Sequence, residues 1–456
     1  MAIGDAPSPA GSLIPPDSEI REILRQRIDE FQQSVGIVVG MIGPDTRKVI
    51  GYGTLETGDP RVVDGDAIFE IGSVTKVFTS LLLSDMVQRV QVALTDPVAN
   101  YLPADVKMPQ RGGKQITLQD LATHTSGLPR VPSNFKPKDS ANPYVDYSLA
   151  QLYEFLSSYE LPREIGSQYE YSNVGGGLLG HALALCAGMD FEALVHTRIT
   201  SPLDMKSTSF TLSSEMKERM AVGHDAKMKP VPYWDLPTLA GAGGLRSTAN
   251  DMLTFLAANL GYNKTPISPA MAAMLDVRMP SGKPGLDMAL AWHIYSTPEG
   301  DAFIGHDGGT GGCRSLIGYD PKTRIGVVVL ANAATVAGVN DIGLHLLNAK
   351  APLLTASAFV PAKERKEVAV DPKVFDRYAG QYQLSPNLVL TITREREHLF
   401  AQVTGRPKFE LFAEGENEYF WKVVDAQVTF EVDAGGAVMQ LVFHQAGRNV
   451  PAKRID

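Results

Sequence analysis

The sequence is poor in cysteine and lacks the ligand motifs of common metal sites. Only Cys186 and Cys313 occur in 456 residues, and they do not form a Cys-x-x-Cys pair. This count excludes a disulfide framework and argues against a zinc site, although one disulfide is still compatible with the sequence. The nine histidines are scattered and include no His-Glu-x-x-His motif, which argues against a metallohydrolase. We therefore expect no metal and no cofactor.

Long apolar runs and basic clusters are also missing. No segment reaches about 18 consecutive apolar residues, and the N-terminus has neither the basic nor the apolar stretch of a leader. We therefore expect no membrane span and a cytoplasmic location, although a periplasmic or secreted chain that had lost its leader would read the same. The net charge of −9 and the lack of Lys/Arg runs exclude nucleic acid as the main partner. The oligomeric state is left open.

The pattern along the chain predicts an α+β domain followed by a small barrel. Residues 1–16 are rich in Pro, Gly and Ser and are expected to form a flexible arm. Helical and strand patterns over 17–350 predict a sheet with helices packed against it. Residues 351–373 lack periodicity and form the predicted linker. Eight short strands within 374–456 predict an antiparallel β-barrel.

A Ser-x-x-Lys motif lies at the start of a long apolar helix predicted over 74–90. Ser73 and Lys76 are one helical turn apart, so their side chains share a face. The amine can take the hydroxyl proton, and the free N–H groups of a helix start can stabilise an oxyanion. Two other Ser-x-x-Lys pairs begin at Ser133 and Ser214, and neither precedes an apolar helix. The motif alone leaves a simple helix cap as an equal alternative for Ser73.

Tyr171-Ser172-Asn173 is the only Tyr-x-Asn in the chain. A phenol beside an ammonium group has a lowered pKa and can act as a general base, so we expect Tyr171 near Lys76. Asn173 would offer its amide to a substrate carbonyl. The alternative is an ordinary loop with a turn asparagine.

The segment from His306 to Gly309 follows a predicted strand and is rich in glycine. Glycines let a substrate approach the backbone, so the N–H groups of Gly309 and Ser73 are the candidate oxyanion hole. The alternative is a satisfied histidine beside a β-bulge.

Together these motifs resemble a known family. Ser73-x-x-Lys76, Tyr171-x-Asn173 and His306-x-Gly308 occur in the order of the serine β-lactamase-like, penicillin-recognising family, with spacings of 98 and 135 residues. The branch it is most similar to contains class C β-lactamases, D-alanyl-D-alanine carboxypeptidases, D-aminopeptidases and related esterases. The resemblance implies a β-lactamase-like fold, in which an antiparallel sheet is flanked by helices and joined to an all-helical subdomain. The C-terminal region, with Tyr378-Ala-Gly-Gln-Tyr382, resembles lipocalin-like barrels.

The resemblance also implies roles for individual residues. Ser73 would be the nucleophile that carries the acyl group, Lys76 would assist its deprotonation, and Tyr171 would serve as base and leaving-group acid. The residues assigned to substrate binding are Asn173, His306, Asp307, Gly308 and Gly309.

One departure from the family pattern bears on the substrate. β-Lactamases have Lys-Thr-Gly where this chain has His306-Asp307-Gly308. A neutral histidine supplies less positive charge, and Asp307, if it faces the site, would repel a carboxylate. We therefore expect a serine hydrolase that cleaves small esters or amide and peptide bonds, D-amino-acid substrates included, with slow β-lactam turnover.

The sequence leaves two alternative functions open and argues against a third. A class C-like β-lactamase or D,D-carboxypeptidase is the first, and a non-catalytic penicillin-binding or scaffold protein is the second. An α/β-hydrolase is excluded because no Gly-x-Ser-x-Gly elbow is present.

Overall fold

The computed structural model describes residues 13–297, 300–355, 365–385, 388–404, 408–421, 426–433, 435–445 and 448–455. The chain divides into two compact units, Met1–Leu353 and Leu354–Asp456. Residues 1–12 of the predicted arm and 356–364 of the predicted linker lie outside the described residues. Within the arm, Ile14 is only 5% exposed and packs into a hydrophobic core of the first unit.

The helices of the described residues are mostly short. They are α1 (Asp17–Arg25), α2 (Thr75–Gln88), α3 (Leu118–Ala122), α4 (Leu149–Ser158), α5 (Asn173–Ala187), α6 (Phe191–Val195), α7 (Ser214–Glu218), α8 (Ala240–Gly243), α9 (Ala249–Asn259), α10 (Ser268–Ala273), α11 (Asn340–Leu347) and α12 (Phe375–Tyr378). Tighter or wider turns occur at Gln26–Glu30, Gly72–Val74, Val98–Tyr101, His196–Thr200 and Pro372–Val374.

The strands of the first unit form one large sheet and two separate two-stranded sheets. They are β1 (Gly36–Gly43), β2 (Thr46–Gly53), β3 (Ile68–Glu70), β4 (Gln110–Arg111), β5 (Lys114–Gln115), β6 (Arg246–Thr248), β7 (Met279–Lys283), β8 (Leu286–Met288), β9 (His293–Thr297), β10 (Gly300–Gly309), β11 (Arg314–Asp320) and β12 (Ile325–Ala331). The sheet is antiparallel in the order β2-β1-β12-β11-β10-β9-β8-β7, while β3 pairs with β6 and β4 with β5.

The sheet is covered on both faces, which explains the unbroken apolar sequence of β12. Val328 and Leu330 pack into the core that contains α2 and α9, whereas Val327 and Val329 pack into the core that contains α1 and α11. Successive side chains of a strand point to opposite faces, so a strand between two cores is apolar at every position. The predicted antiparallel sheet flanked by helices is confirmed.

Helix α2 is the buried centre of the helical part. Every side chain from Thr75 to Met86 is buried, polar ones included, so α2 is enclosed by protein on all sides. The structure begins this helix at Thr75 rather than Val74, and Ser73 lies in the preceding 3-10 turn. Between α2 and α8 the regular elements are helices, except for the short pair β4 and β5, so the predicted all-helical subdomain contains one small β-hairpin. Ser172 caps α5 by accepting a hydrogen bond from the N–H of Gly175.

The second unit is a closed antiparallel barrel, as predicted. Its strands are β13 (Gly380–Ser385), β14 (Leu388–Glu395), β15 (His398–Val403), β16 (Lys408–Ala413), β17 (Glu418–Phe420), β18 (Ala426–Val432), β19 (Val438–Gln445) and β20 (Arg448–Arg454). Each strand pairs with its neighbour in sequence, and β13 pairs with β20 to close the barrel. Aromatic side chains, among them Tyr378, Tyr382 and Phe430, fill the interior.

In the described residues, no single helix has both the length and the apolar composition to cross a membrane. Asn173–Ala187 and Phe191–Thr200 meet the criterion only as a pair that is bent by 81°.

Asn332, at the end of β12, provides a test of how the sheet is held together. Its fully buried amide accepts from the N–H of Gly36 (2.6 Å) and donates to the carbonyl oxygens of Thr54 (3.2 Å) and Leu55 (3.0 Å). We expect Asn332→Ala to lower the free energy of unfolding by at least about 2 kcal/mol, because buried backbone groups lose their partners. Urea unfolding followed by tryptophan fluorescence measures this. The exposed Asn348→Ala is the control, and equal midpoints for the two variants would contradict the assignment.

Candidate active site

Ser73 lies on a tight turn between β3 and α2, and the turn needs a glycine. Gly72 has φ +50°, and a Cβ there would lie 2.7 Å from the nitrogen and 2.8 Å from the oxygen of Gly309. Only glycine combines this conformation with so close an approach of β10. The turn thereby holds the partly exposed Ser73 beside the end of β10.

The amine of Lys76 is buried beneath Ser73. Its Nζ atom lies 3.1 Å from Ser73 Oγ, 2.9 Å from Asn173 Oδ1 and 2.6 Å from the carbonyl oxygen of Ala242. The side chain is 2% exposed. Burial, and next the positive charge of Arg130, hold the pKa of Lys76 well below its usual value, while Asp307 acts weakly in the opposite direction.

These contacts allow Lys76 to take the serine proton. As an ammonium group, Lys76 donates to Ser73 Oγ, Asn173 Oδ1 and the carbonyl oxygen of Ala242. Once it has lost a proton, its two N–H groups can stay on Asn173 and Ala242, and its lone pair can accept the proton of Ser73. This is the arrangement of a nucleophile and its general base.

Tyr171 lies at the site, but its ionisation differs from the expectation. Its ring centroid is 4.7 Å from Lys76 Nζ and 4.5 Å from the ring centroid of His124. The expected lowering of its pKa is wrong: burial of the hydroxyl raises the pKa of Tyr171, and the hydrogen bond with Ser73 offsets this only in part. The reason is that burial disfavours the charged phenolate more than the Ser73 hydrogen bond and the charge of Arg130 favour it. Tyr171 is therefore a phenol that can donate a proton.

Asn173 begins α5 and orients Lys76. Its Oδ1 atom accepts from Lys76, and its Nδ2 atom donates to the hydroxyl of Tyr144 at 3.2 Å. Both ends of the amide are thus engaged within the protein. A contact between Asn173 and a substrate carbonyl stays a prediction.

The His306–Gly309 segment of β10 extends beyond β9 and runs alongside the turn at Ser73. The pairing of β10 with β9 ends at Gly305, whereas its pairing with β11 continues to Gly309. A Cβ on Gly308 would lie 2.1 Å from the Ile71 oxygen and 3.0 Å from the Ser73 nitrogen. The free edge of β10 and the serine turn are therefore in contact, as the oxyanion-hole hypothesis requires.

His306 is neutral, as expected. It is buried, its Nδ1 atom lies 2.6 Å from the carbonyl oxygen of Asp307, and burial holds its pKa well below the usual value. The position that carries a lysine in β-lactamases thus carries no charge here.

Asp307 is exposed near the end of β10 and lines a small cleft with Phe303 and Asn340. A ligand atom of its carboxylate lies within 4.8 Å of ring nitrogens of His293 and His306. Its negative charge acts to raise the pKa of both Lys76 and Tyr171. Contact between this carboxylate and a substrate stays a prediction.

Three neighbours of the site were given no role by the sequence analysis. His124 packs against Tyr171, the guanidinium of Arg130 lies 5.1 Å from the centroid of the same ring, and Glu70 accepts from the N–H of Trp234 (2.6 Å) and the hydroxyl of Thr310 (2.7 Å). Only Glu70, three residues before Ser73, lies close to a motif in the sequence. Tertiary packing brings His124 and Arg130 to Tyr171.

One group of side chains could hold a metal ion. His293, His306 and Asp307 each bring a ligand atom within 4.8 Å of the others. The Nδ1 atom of His306 already faces a backbone carbonyl. The expectation of no metal and no cofactor stays a prediction.

Comparison with protein families gives two matches. The family described as Beta-lactamase matches residues 24–349. A domain of unknown function (DUF3471) matches residues 364–453, which include the barrel strands.

The relatives and solved structures that resemble this chain have carboxypeptidase, penicillin-binding protein and β-lactamase names. The D-alanyl-D-alanine-carboxypeptidase/endopeptidase AmpH of Escherichia coli (strain K12) is 29% identical over 71% of this chain and 88% of its own length. A penicillin-binding protein of Bacillus subtilis (strain 168) is 25% identical over 95% of this chain and 98% of its own. A class C β-lactamase structure from Rhodobacter sphaeroides is 26% identical with a TM-score of 0.61, and covers 72% of this chain and 96% of that one.

Gly308→Ala tests the contact between β10 and the serine turn. The new Cβ would meet the Ile71 oxygen, so β10 must move away from Ser73. We expect kcat/KM for a nitrophenyl ester to fall by about 100-fold, the usual effect of a lost oxyanion donor. Gly415→Ala, where the nearest atom lies 3.8 Å away, is the control. Full activity of Gly308→Ala would rule out this geometry.

The ionisation of Lys76 predicts a pH profile. Because its pKa is lowered, the amine becomes free to accept a proton at a lower pH than an ordinary lysine, and kcat/KM should fall as the pH drops through that lowered pKa. Lys76→Arg should lose about 100-fold or more at every pH, since a guanidinium stays protonated. Lys217→Arg, in the second Ser-x-x-Lys pair, is the control. An activity that rises only near pH 10, where an ordinary lysine titrates, would contradict the assignment.

Proposed function

Because the chain belongs to the Beta-lactamase family of serine hydrolases, we propose that it forms an acyl-enzyme on Ser73 and cleaves amide or peptide bonds and small esters. The observation that carries this proposal is the 3.1 Å contact between Ser73 Oγ and the buried amine of Lys76, which also contacts the carbonyl oxygens of Asn173 and Ala242. When the amine is neutral, those oxygens can hold its two N–H groups, and its lone pair is left for the serine proton.

The geometry supports a balanced sequence of proton transfers. Lys76 takes the proton of Ser73 as Oγ attacks the substrate carbonyl, and the N–H groups of Ser73 and Gly309 stabilise the oxyanion. The carbon–nitrogen or carbon–oxygen bond then breaks, and the Tyr171 phenol gives its proton to the leaving group. Lys76 then returns its proton to the Tyr171 phenolate, and a water molecule releases the acyl group by the reverse route. The amine and phenol titrate as a coupled pair.

Amide and peptide substrates agree with the relatives' names. AmpH is named a carboxypeptidase and endopeptidase, and other relatives are named β-lactamases. β-Lactam hydrolysis is the second candidate, favoured by the likeness to a class C β-lactamase structure. We expect it to be slow, because His306 is neutral where β-lactamases carry a lysine.

A non-catalytic scaffold is the weaker alternative. The contacts among Ser73, Lys76 and Asn173 are those of an intact nucleophile and base, and a scaffold would not require them.

We assign the hydrolase domain to residues 17–350, the linker to 351–373 and the lipocalin-like barrel to 374–456. A cytoplasmic location stays a prediction from the N-terminal sequence.

A substrate panel tests the proposed function. We expect hydrolysis of nitrophenyl esters and D-amino acid amides at rates above that of a chromogenic cephalosporin. Ser73→Ala should abolish turnover, whereas Ser133→Ala, in the exposed Ser-x-x-Lys pair, should keep it. Turnover that survives in Ser73→Ala would refute the acyl-enzyme, and a cephalosporin rate above the ester and amide rates would reverse the order of the two candidates.

A further inference from the structure

The site around Ser73 needs a cation if its substrates carry an anionic group, and the two expected positions do not supply one. Lys76 uses both N–H groups on Asn173 and Ala242 and lies under Ser73 rather than in the opening. His306 is buried with one ring nitrogen against its own strand. Neither side chain can form an ion pair with a substrate.

Arg130 is a charged side chain at the mouth of the site. It is exposed, and its guanidinium carbon lies 5.1 Å from the centroid of the Tyr171 ring, whose hydroxyl is hydrogen bonded to Ser73. An arginine stacked on an aromatic ring keeps the edge of its planar fork available for a second partner. Arg130 therefore places N–H donors beside the same phenol that serves the reaction.

The backbone of Arg130 is fixed to the catalytic machinery. Its carbonyl oxygen accepts from the N–H of Asn173 at 2.9 Å, and Asn173 in turn binds Lys76. The position of the guanidinium is thus tied to the first residue of α5. An arginine on a mobile surface loop would not have this constraint.

The guanidinium is also uncommitted. Two other arginines of the first unit, Arg163 and Arg246, are paired with Glu170 and Asp235. Within the described ranges, by contrast, Arg130 has no carboxylate partner and its side chain forms no hydrogen bond. Its fork is free to bind an anion from solution.

We propose that Arg130 is a specificity-determining residue that binds an anionic group, a carboxylate, on the substrate of Ser73. A planar guanidinium can bind a carboxylate through two parallel hydrogen bonds, which fixes the substrate in orientation as well as in charge. This inference rests on the proposed function, since it concerns the same site. It also changes the substrate expected from the sequence, because a cation at Arg130 replaces the one missing at His306.

Matched ester pairs provide the kinetic test. The first pair is the 4-nitrophenyl monoester of glutaric acid and 4-nitrophenyl valerate, which differ by a carboxylate on the acyl side. The second pair is 3-acetoxybenzoate and phenyl acetate, which differ by a carboxylate on the leaving-group side. We expect wild type to prefer the anionic member of at least one pair, and Arg130→Gln to reduce its kcat/KM by about tenfold or more, mainly through KM.

The controls separate recognition from structure. Arg130→Gln also removes a charge that lowers the pKa of Lys76, so any loss for the neutral esters should be shared by the anionic ones, and the ratio of anionic to neutral kcat/KM should fall by about tenfold or more. Arg130→Lys should retain part of the preference, and Arg21→Gln on the exposed face of α1 should have no effect. The preference should shrink as salt is added, because an exposed ion pair is screened. Equal losses for anionic and neutral esters, or no loss for either, would overturn the proposal.

Ligand binding to the Ser73→Ala variant tests the role of Arg130 separately from catalysis. Calorimetric titration of this variant with the same glutarate monoester and valerate ester needs no turnover. The inference is supported if the monoester binds more tightly than the valerate ester to Ser73→Ala and this difference disappears in Ser73→Ala/Arg130→Gln. That result would stand even if the wild-type protein hydrolysed neither ester, and the lack of hydrolysis would then refute only the proposed function. Equal affinities would overturn the inference even if wild type hydrolyses both esters.

Discussion

The buried amine of Lys76 is the interaction on which the rest of the site depends. It joins the serine turn to Asn173 on α5 and to the carbonyl oxygen of Ala242 on α8, so three separate segments meet at one nitrogen. An amine can be buried in this way only if it is neutral or fully paired. Burial in the core around α2 therefore does more than stabilise the fold, because it lowers the pKa of Lys76 and raises the pKa of Tyr171.

The second constraint is the close approach of β10 to the serine turn. Gly72 and Gly308 leave no room for a Cβ on either side of the contact, so the backbone N–H groups of Ser73 and Gly309 come together. A sheet supported by cores on both faces holds β10 in place, and the tight turn holds Ser73. The site is thus built from backbone contacts that only glycine permits.

Much of this arrangement could be predicted from sequence, and the reasons for the rest are physical. Motif order singled out Ser73, Lys76 and Tyr171, which the structure brings together, and the pattern of short alternating strands predicted the barrel. The lowered pKa expected for Tyr171 was wrong because the sequence does not show how deeply its hydroxyl is buried. The nearness of Asp307 to His293 and of Arg130 to Tyr171 depends on tertiary packing. Strands β7 and β8 were missed because they are short and largely exposed, without alternation.

The central claim is that Ser73 is the residue acylated, with Lys76 as its base. The most direct measurement is mass spectrometry of the tryptic peptide 62–76, which contains both residues, after rapid acid quenching of the reaction with a slow ester or a fluorophosphonate. The account predicts an adduct on Ser73 that forms readily at neutral pH in wild type and is lost in Ser73→Ala. An adduct on any other residue, or labelling that is equally fast in Lys76→Arg, would contradict it.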